Sequence, residues 1–297
     1  MKKLSLLLAV SIAATVLCST IATAQEKEKV VTGTINFLIP SLVEVLDQYL
    51  SGQLYTDESL FTGVNVKIGA FYKKHDNLSW NLYYTGYNKS NGISGLKQVA
   101  SLTNPANSQN LQYSSYTVGY GTYYHWQFAK KLMIKAGGMA DLYGAMKKTT
   151  PDGVNNHLNI EGHMMLKAHA AIRYGWDFKK WGLDLRAHAT LPLFGVITAD
   201  HPSEPALSIL ASNDHSVMNS AYNHIFFASY HNYMSFDYEL GVDFVLKPCT
   251  LTLGFGNTSK YWNIYDIQNI RKINYMTLGV AFDIVSRDKF KSSNKNF

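Results

Sequence analysis

Between His157 and Phe178 the odd positions carry Glu161, His163, Lys167, His169 and Arg173, spaced by two and four residues. Asp184, Arg186 and His188 repeat the two-residue spacing in the next segment, and Asp237, Glu239, Asp243 and Asp283 follow. Acids, bases and imidazoles gathered on one surface suit general acid–base chemistry, a polar channel, or ion pairs that neutralise one another. Mixed signs in near balance favour the ion pairs, because a small enclosed interior fills with side chains that pair. A second group, Asp200–His201, Asp214–His215, His224 and His231, sets Asp beside His, as metal binding or water activation would need. No ligand spacing recurs among them, so they read as solvated loop histidines, and no metal and no cofactor is expected.

The even positions of the same stretch fix the element that must hold these groups. Leu158, Ile160, Met164, Leu166, Ala168, Ala170, Ile172, Tyr174, Trp176 and Phe178 are apolar or aromatic, opposite the polar odd set. A helix would mix the two sets, whereas a strand sends successive side chains to opposite faces. The stretch far exceeds the roughly 5–6 residues of a soluble strand, and about 9–11 suffice to cross a membrane. The apolar face then meets lipid and the charged face lines a barrel lumen. Across Lys179–Lys180, odd residues of one strand fall opposite even residues of the next. This puts both polar faces on one side and brings Asp184 within reach of Arg173.

Export is expected from the N-terminus. Met1–Lys3 is basic, Leu4 to Cys18 is mostly apolar, and Ala22–Thr23–Ala24 before Gln25 fits signal cleavage. Cys18 as a lipidated residue fits less well, since Leu17 stands where a small residue belongs. The 27 basic and 21 acidic residues become 25 and 21 once Lys2 and Lys3 leave, a dispersed net charge of +4 that excludes a nucleic-acid stripe. Cys249 alone remains, so no intramolecular disulfide forms. Hydrophobic content of 46% and 20 tyrosines suit a barrel in which every second residue is polar and aromatics gather at the membrane interfaces.

Alternation recurs from Thr62 to Tyr72, Leu78 to Tyr84, Ser114 to Trp126, Leu132 to Leu142, Trp181 to Leu193, Met234 to Leu246, Cys249 to Phe255 and Met276 to Ile284. Pro192 must sit where no ladder donor is needed. Short turns at 74–76, 129, 179–180 and 247–248 alternate with long loops at 89–111, 147–156, 199–233 and 261–274, which assigns the turns to the periplasm. With one strand before Thr62 the count is ten, or twelve if Ala199–Tyr233 hides a hairpin. That first strand is Val31–Leu38 or Tyr49–Thr56; alternatively Ser41–Glu44 opens a short capped helix. The domains expected are a signal peptide at 1–24, an N-terminal segment at 25–60, the barrel at 61–286 and a polar tail at 287–297.

The stretches YSSYTVGYGTYYHW (Tyr113–Trp126), LMIKAGG (Leu132–Gly138) and HNYMSFDYELGVDF (His231–Phe244) resemble a Bacteroidota-type family of outer-membrane barrels classed as a domain of unknown function. The resemblance covers most of Tyr49 to Asp283. It implies an outer-membrane barrel and transfers no catalytic residues. Tyr87 to Gly92 is similar to the outer-membrane phospholipase A pattern, with Ser90–Asn91–Gly92 in place, but Asn88 stands where the histidine base belongs. Without that base the serine is not activated, and Asn91–Gly92 reads as a turn. The expectation is an all-β, antiparallel transmembrane barrel in the outer membrane, monomeric, with lipid as its partner and any surface or periplasmic protein partner unidentified. Its lumen is filled and its role non-enzymatic. The alternatives are a small-solute channel and a hydrolase of phospholipase or omptin type.

Overall fold

Period-two alternation becomes strand wherever the structure is described. The computed structural model describes residues 29–47, 51–57, 62–72, 78–94, 110–150, 157–198, 225–246, 249–264 and 266–286. Its strands are β1 (Lys29–Asp47), β2 (Ser51–Asp57), β3 (Thr62–Tyr72), β4 (Leu78–Ser94), β5 (Asn110–Ala129), β6 (Leu132–Thr150), β7 (His157–Asp177), β8 (Gly182–Thr198), β9 (Ile225–Ala228), β10 (Tyr233–Val245), β11 (Cys249–Ile264) and β12 (Ile267–Ser286).

These segments close into one antiparallel barrel of ten staves. β1 pairs with β12 on one side and β3 on the other, and β8 pairs with β10, so the sheet has no edge. Two staves are interrupted. β2 and β3 share β1 as their partner, over Val43–Asp47 and Lys29–Leu38. β9 and β10 share β8, over Gly195–Thr198 and Gly182–Thr190. The second break is the turn Ser229–Asn232, where the Tyr233 N–H donates to the Ser229 carbonyl at 2.8 Å. No extra hairpin arises among the described residues, and the stave count is ten.

Parity decides what each side chain meets. On β5, Tyr116, Val118, Tyr120, Tyr124 and Trp126 are exposed, while Tyr113, Ser115, Tyr123 and His125 are buried. The exposed apolar side chains form a belt with aromatics at both rims. Phe128, Tyr174, Phe178 and Trp181 lie toward the turn end, and Tyr84, Tyr116 and Tyr230 toward the loop end. Trp126 and Tyr116 are ten residues apart; at ~3.3 Å per residue on a strand tilted by ~40°, that gives about 25 Å, the height of an outer-membrane apolar band.

Several expectations change. Tyr261–Asn274 is a hairpin of β11 and β12 rather than a loop, turning at Asp266 with φ of 59°. Here most outward residues are polar, Asn263, Gln268, Lys272 and Asn274 beside Tyr261 and Ile270, while Trp262, Ile264, Ile273 and Tyr275 are buried together with Lys260, Asn269 and Arg271. The alternation persists, with an outward face that is mostly polar.

The first strand is β1, which takes in Val31–Leu38 and continues through Ser41–Glu44, so the alternative of a short helix there does not form. Val43 and Val45 are buried inward, Glu44 pairs with Lys272 on β12 at 3.4 Å, and Ser41 donates to the Asn274 carbonyl at 3.5 Å. A register shift between Pro40 and Leu42 resets the parity there. A boundary at residue 61 thus falls inside the barrel, whose first strand starts at Lys29. Asn91–Gly92 lies within β4, at a register shift between Lys89 and Ile93, and is no turn. Pro192 sits beside the extra residue Leu193 of a bulge opposite Leu166 and Lys167.

Closure has a direct consequence in electrophoresis. A folded sample loaded without boiling migrates at a different apparent mass from a boiled one, and identical migration would count against the barrel.

Candidate functional site

Every inward position on ten converging staves ends in the lumen, and three layers result. In the middle layer Lys167 on β7 bridges Asp141 on β6 at 2.6 Å and Asp237 on β10 at 3.1 Å. Arg186 on β8 holds Glu239 through Nη2 and Asp243 through Nε, the latter at 3.2 Å. Thr252 donates to Asp243 at 2.8 Å and Thr277 to Glu239 at 3.3 Å, taking up further lone pairs of the buried acids. Nearer the turn end, Arg173 and Asp184 lie 3.5 Å apart, across neighbouring strands.

A cavity of about 410 Å³ occupies the rest of this layer. It reaches Ser79 and Met133, each one residue in from the turn end of its strand. Lys67, Lys135, His169, His188 and Tyr123 line its wall, Lys260 and Arg271 its far end. Gly119 and Gly121 make room for the rings of Tyr83 and Tyr123 in that wall, since a Cβ at either would strike them.

The layer toward the loop end is apolar. Leu38, Val43, Val45, Tyr87, Tyr113, Tyr143, Ala145, Ile273 and Tyr275 form one cluster. Met165, Ile197, Ala228, Tyr233, Trp262 and Ile264 form the other. His163 joins them, stacked on Tyr143 with centroids 4.3 Å apart and edge-on to Tyr233 at 5.2 Å. Tyr113, Met165 and Ile273 have no exposed surface, and Tyr233 retains 1%. Side chains from across the barrel thus meet in one continuous layer.

The cluster read from sequence divides between these layers. Lys167, His169, Arg173, Arg186, His188, Asp237 and Glu239 line the cavity. Asp184 and Asp243 are buried in ion pairs, Glu161 accepts from the Tyr143 hydroxyl at 3.0 Å, and His163 belongs to the apolar layer. Asp283 is half-buried near the turn end of β12. Asp200, His201, Asp214, His215 and His224 fall outside the described residues. His231 is exposed in the Ser229–Asn232 turn, 2.6 Å from the Ser229 hydroxyl.

Sequence reasoning passed over Lys67, Ser79, His125, Lys135, Asp141, Lys260 and Arg271, all of which line the cavity. Parity alone would have placed them inward; no motif marks them. Among the described residues no cluster of His, Cys, Asp and Glu has the form of a metal site. Ser79 Oγ and His125 Nε2 lie 2.6 Å apart, the geometry of a nucleophile with its base.

Arg186 makes the middle layer testable. Arg186→Met leaves two buried carboxylates facing each other and destabilises the barrel by about 3–5 kcal/mol. Neutralising all three, with Glu239→Gln and Asp243→Asn added, recovers most of that loss in urea unfolding from lipid vesicles. A single variant as stable as the parent would show that Arg186 does not organise the layer.

Among solved structures, the chain is similar to Neisserial surface protein A (10% identity, 86% of this chain and 97% of that chain, TM-score 0.32). It is also similar to the outer membrane protease OmpT from Escherichia coli (10%, 86% and 97%, 0.43) and to the translocator domain of the autotransporter NalP from Neisseria meningitidis (7%, 92% and 96%, 0.35). A comparison with curated proteins finds no match. A family model matches residues 3–286, and the chain, an outer-membrane-like β-barrel, belongs to that family, the proteins of unknown function DUF3316.

Proposed function

We propose that this protein is a non-conducting, non-enzymatic barrel of the outer membrane, with a lumen closed toward the loop end and a pocket facing the turn end. The apolar layer carries this reading. Tyr113, Tyr143, Met165, Tyr233, Trp262 and Ile273 are each at most 3% exposed and come from six different strands. A water-filled pore needs a continuous polar path, and these side chains interrupt it with a packed core. The lipid-facing belt and aromatic rims support membrane insertion as a monomer. The short turns then lie in the periplasm, and the pocket is approached from that side. An N-terminal signal ending at Ala24 fits delivery through the inner membrane.

The folded protein in a planar lipid bilayer gives no steady single-channel steps. Tyr233→Ala combined with Trp262→Ala removes two rings from the layer and turns silence into conductance. Steady steps from the parent protein would overturn the sealed lumen.

A hydrolase in the lumen is the second reading, favoured by the Ser79–His125 contact. The folded protein leaves p-nitrophenyl esters unhydrolysed above the level of the Ser79→Ala variant. Turnover that disappears in that variant would replace the non-enzymatic reading.

A further inference from the structure

The strands β11 and β12 place Lys260 directly opposite Arg271. Both side chains point inward, with 3% and 2% of their surface exposed. Like charges facing each other across a strand pair repel, and burial removes the water that would screen them. Their immediate surroundings supply rings instead of acids. Lys260 Nζ sits 3.4 Å from the centroid of Tyr143 and 3.3 Å from His163 Nε2. Arg271 Cζ lies 5.3 Å from the Tyr143 and Tyr113 rings and 5.4 Å from Tyr87. Cation–π contact with one shared ring eases but does not cancel two adjacent charges.

Among the described residues neither cation has a carboxylate within ion-pair distance. The nearby acids are engaged elsewhere: Asp141 and Asp237 with Lys167, Glu239 and Asp243 with Arg186, and Glu161 with the Tyr143 hydroxyl. Arg271 also keeps Nε and Nη1 without acceptors, although it is buried. Both cations border the 410 Å³ cavity, and Lys67, likewise without an ion-paired carboxylate, borders it too. Tyr83, Tyr87, Tyr123 and Tyr275 form aromatic wall between them. A chamber of this size, with convergent cations and aromatic sides, has the make-up of a small-ligand site.

We infer that the lumen is a binding site for a small organic anion, whose carboxylate or phosphate head sits between Lys260 and Arg271 and whose body lies along the tyrosine wall. The ligand enters from the turn end, since the apolar layer blocks the other; the inference therefore rests on the sealed-lumen reading. The head satisfies the free guanidinium donors and separates the facing charges. An aromatic or short aliphatic body matches the wall.

The test is calorimetric titration of the folded chain from Gln25 onward, in a neutral detergent, with benzoate, phenyl phosphate, inorganic phosphate and uncharged benzamide. One of the two organic anions binds with one-to-one saturation, and benzamide and inorganic phosphate bind more weakly by at least about tenfold. Benzoate against phenyl phosphate identifies the head. Lys260→Met weakens the organic anion by at least about tenfold and raises the unfolding midpoint of the ligand-free barrel, because one of two facing charges is gone. That variant keeps the test decisive where Arg271→Gln fails to fold. Equal binding of benzoate and benzamide, no saturable binding of either organic anion, or unchanged affinity in Lys260→Met overturns the site. Inorganic phosphate binding as tightly as phenyl phosphate overturns the organic body. Conductance is read separately: a silent bilayer without anion binding removes the site and leaves the sealed lumen standing, whereas steady conductance together with saturable anion binding removes the sealed lumen and the turn-end entry and leaves the site.

Discussion

The hydrogen bonds between β1 and β12, running from Val30↔Ser286 to Asp47↔Asn269, are the constraint on which everything else depends. In hydrocarbon each unpaired backbone group costs several kcal/mol, and only a closed sheet leaves none. Closure also removes the edges that make exposed sheets aggregate. Once the ring is shut, each residue has two fates, outer face or lumen, and sequence parity assigns them. The charged cluster of β7, β8 and β10 is thereby forced into one enclosed volume, although its members lie up to 82 positions apart, from Glu161 to Asp243.

Parity is robust but its meaning changes with height. Along β12, Met276, Leu278, Phe282 and Ile284 are exposed apolar residues, and Thr277 and Ala281 are buried between them. Above Tyr275 the same strand turns Lys272 and Asn274 outward and buries Ile273. Between β11 and β12 the buried Asn257 donates to the half-buried Asn274 at 2.6 Å, a polar pair across the two strands. Inside, Trp262, Ile264, Ile273 and Tyr275 pack beside the buried Lys260, Arg271 and Asn269. One chain therefore makes an apolar-out barrel and, in series with it, a plug of apolar side chains that encloses two cations.

This change with height explains what could be read in advance. His157–Phe178 lies mostly within the apolar-out zone, so its strand, its faces and its Arg173–Asp184 contact were legible from alternation alone. The staves there, and the count of ten, followed the same rule. Tyr261–Asn274 alternates just as regularly, but a rule that asks for apolar residues facing out finds mostly polar ones, Asn263, Gln268, Lys272 and Asn274, and reports a loop. Ser41–Glu44 fails for a second reason: the parity reset at Pro40–Leu42 breaks the period and leaves a spacing that imitates a helix cap. Of the site, the acids and cations on β7, β8 and β10 were visible because they stand close together in sequence. Lys67, His125, Lys135, Lys260 and Arg271 stand singly on five other strands, and only the closed ring brings them together.

The arrangement of charge within that ring is unequal, and the inequality has a simple origin. A buried cation in low dielectric is held best by more than one acceptor, and here Lys167 takes both Asp141 and Asp237 while Arg186 takes both Glu239 and Asp243. Four carboxylates thus neutralise two cations, and Asp184 goes to Arg173. Glu161, the inward acid nearest the plug, accepts from Tyr143. Lys67, Lys260 and Arg271 are left without an ion-paired acid among the described residues, and all three border the same chamber. The middle layer concentrates four acids on two cations, and that concentration leaves the chamber's far end positive. Stability of the polar layer and affinity for an anion follow from one distribution of carboxylates, so an acid placed beside Arg271 would relieve the facing charges and fill the site at once.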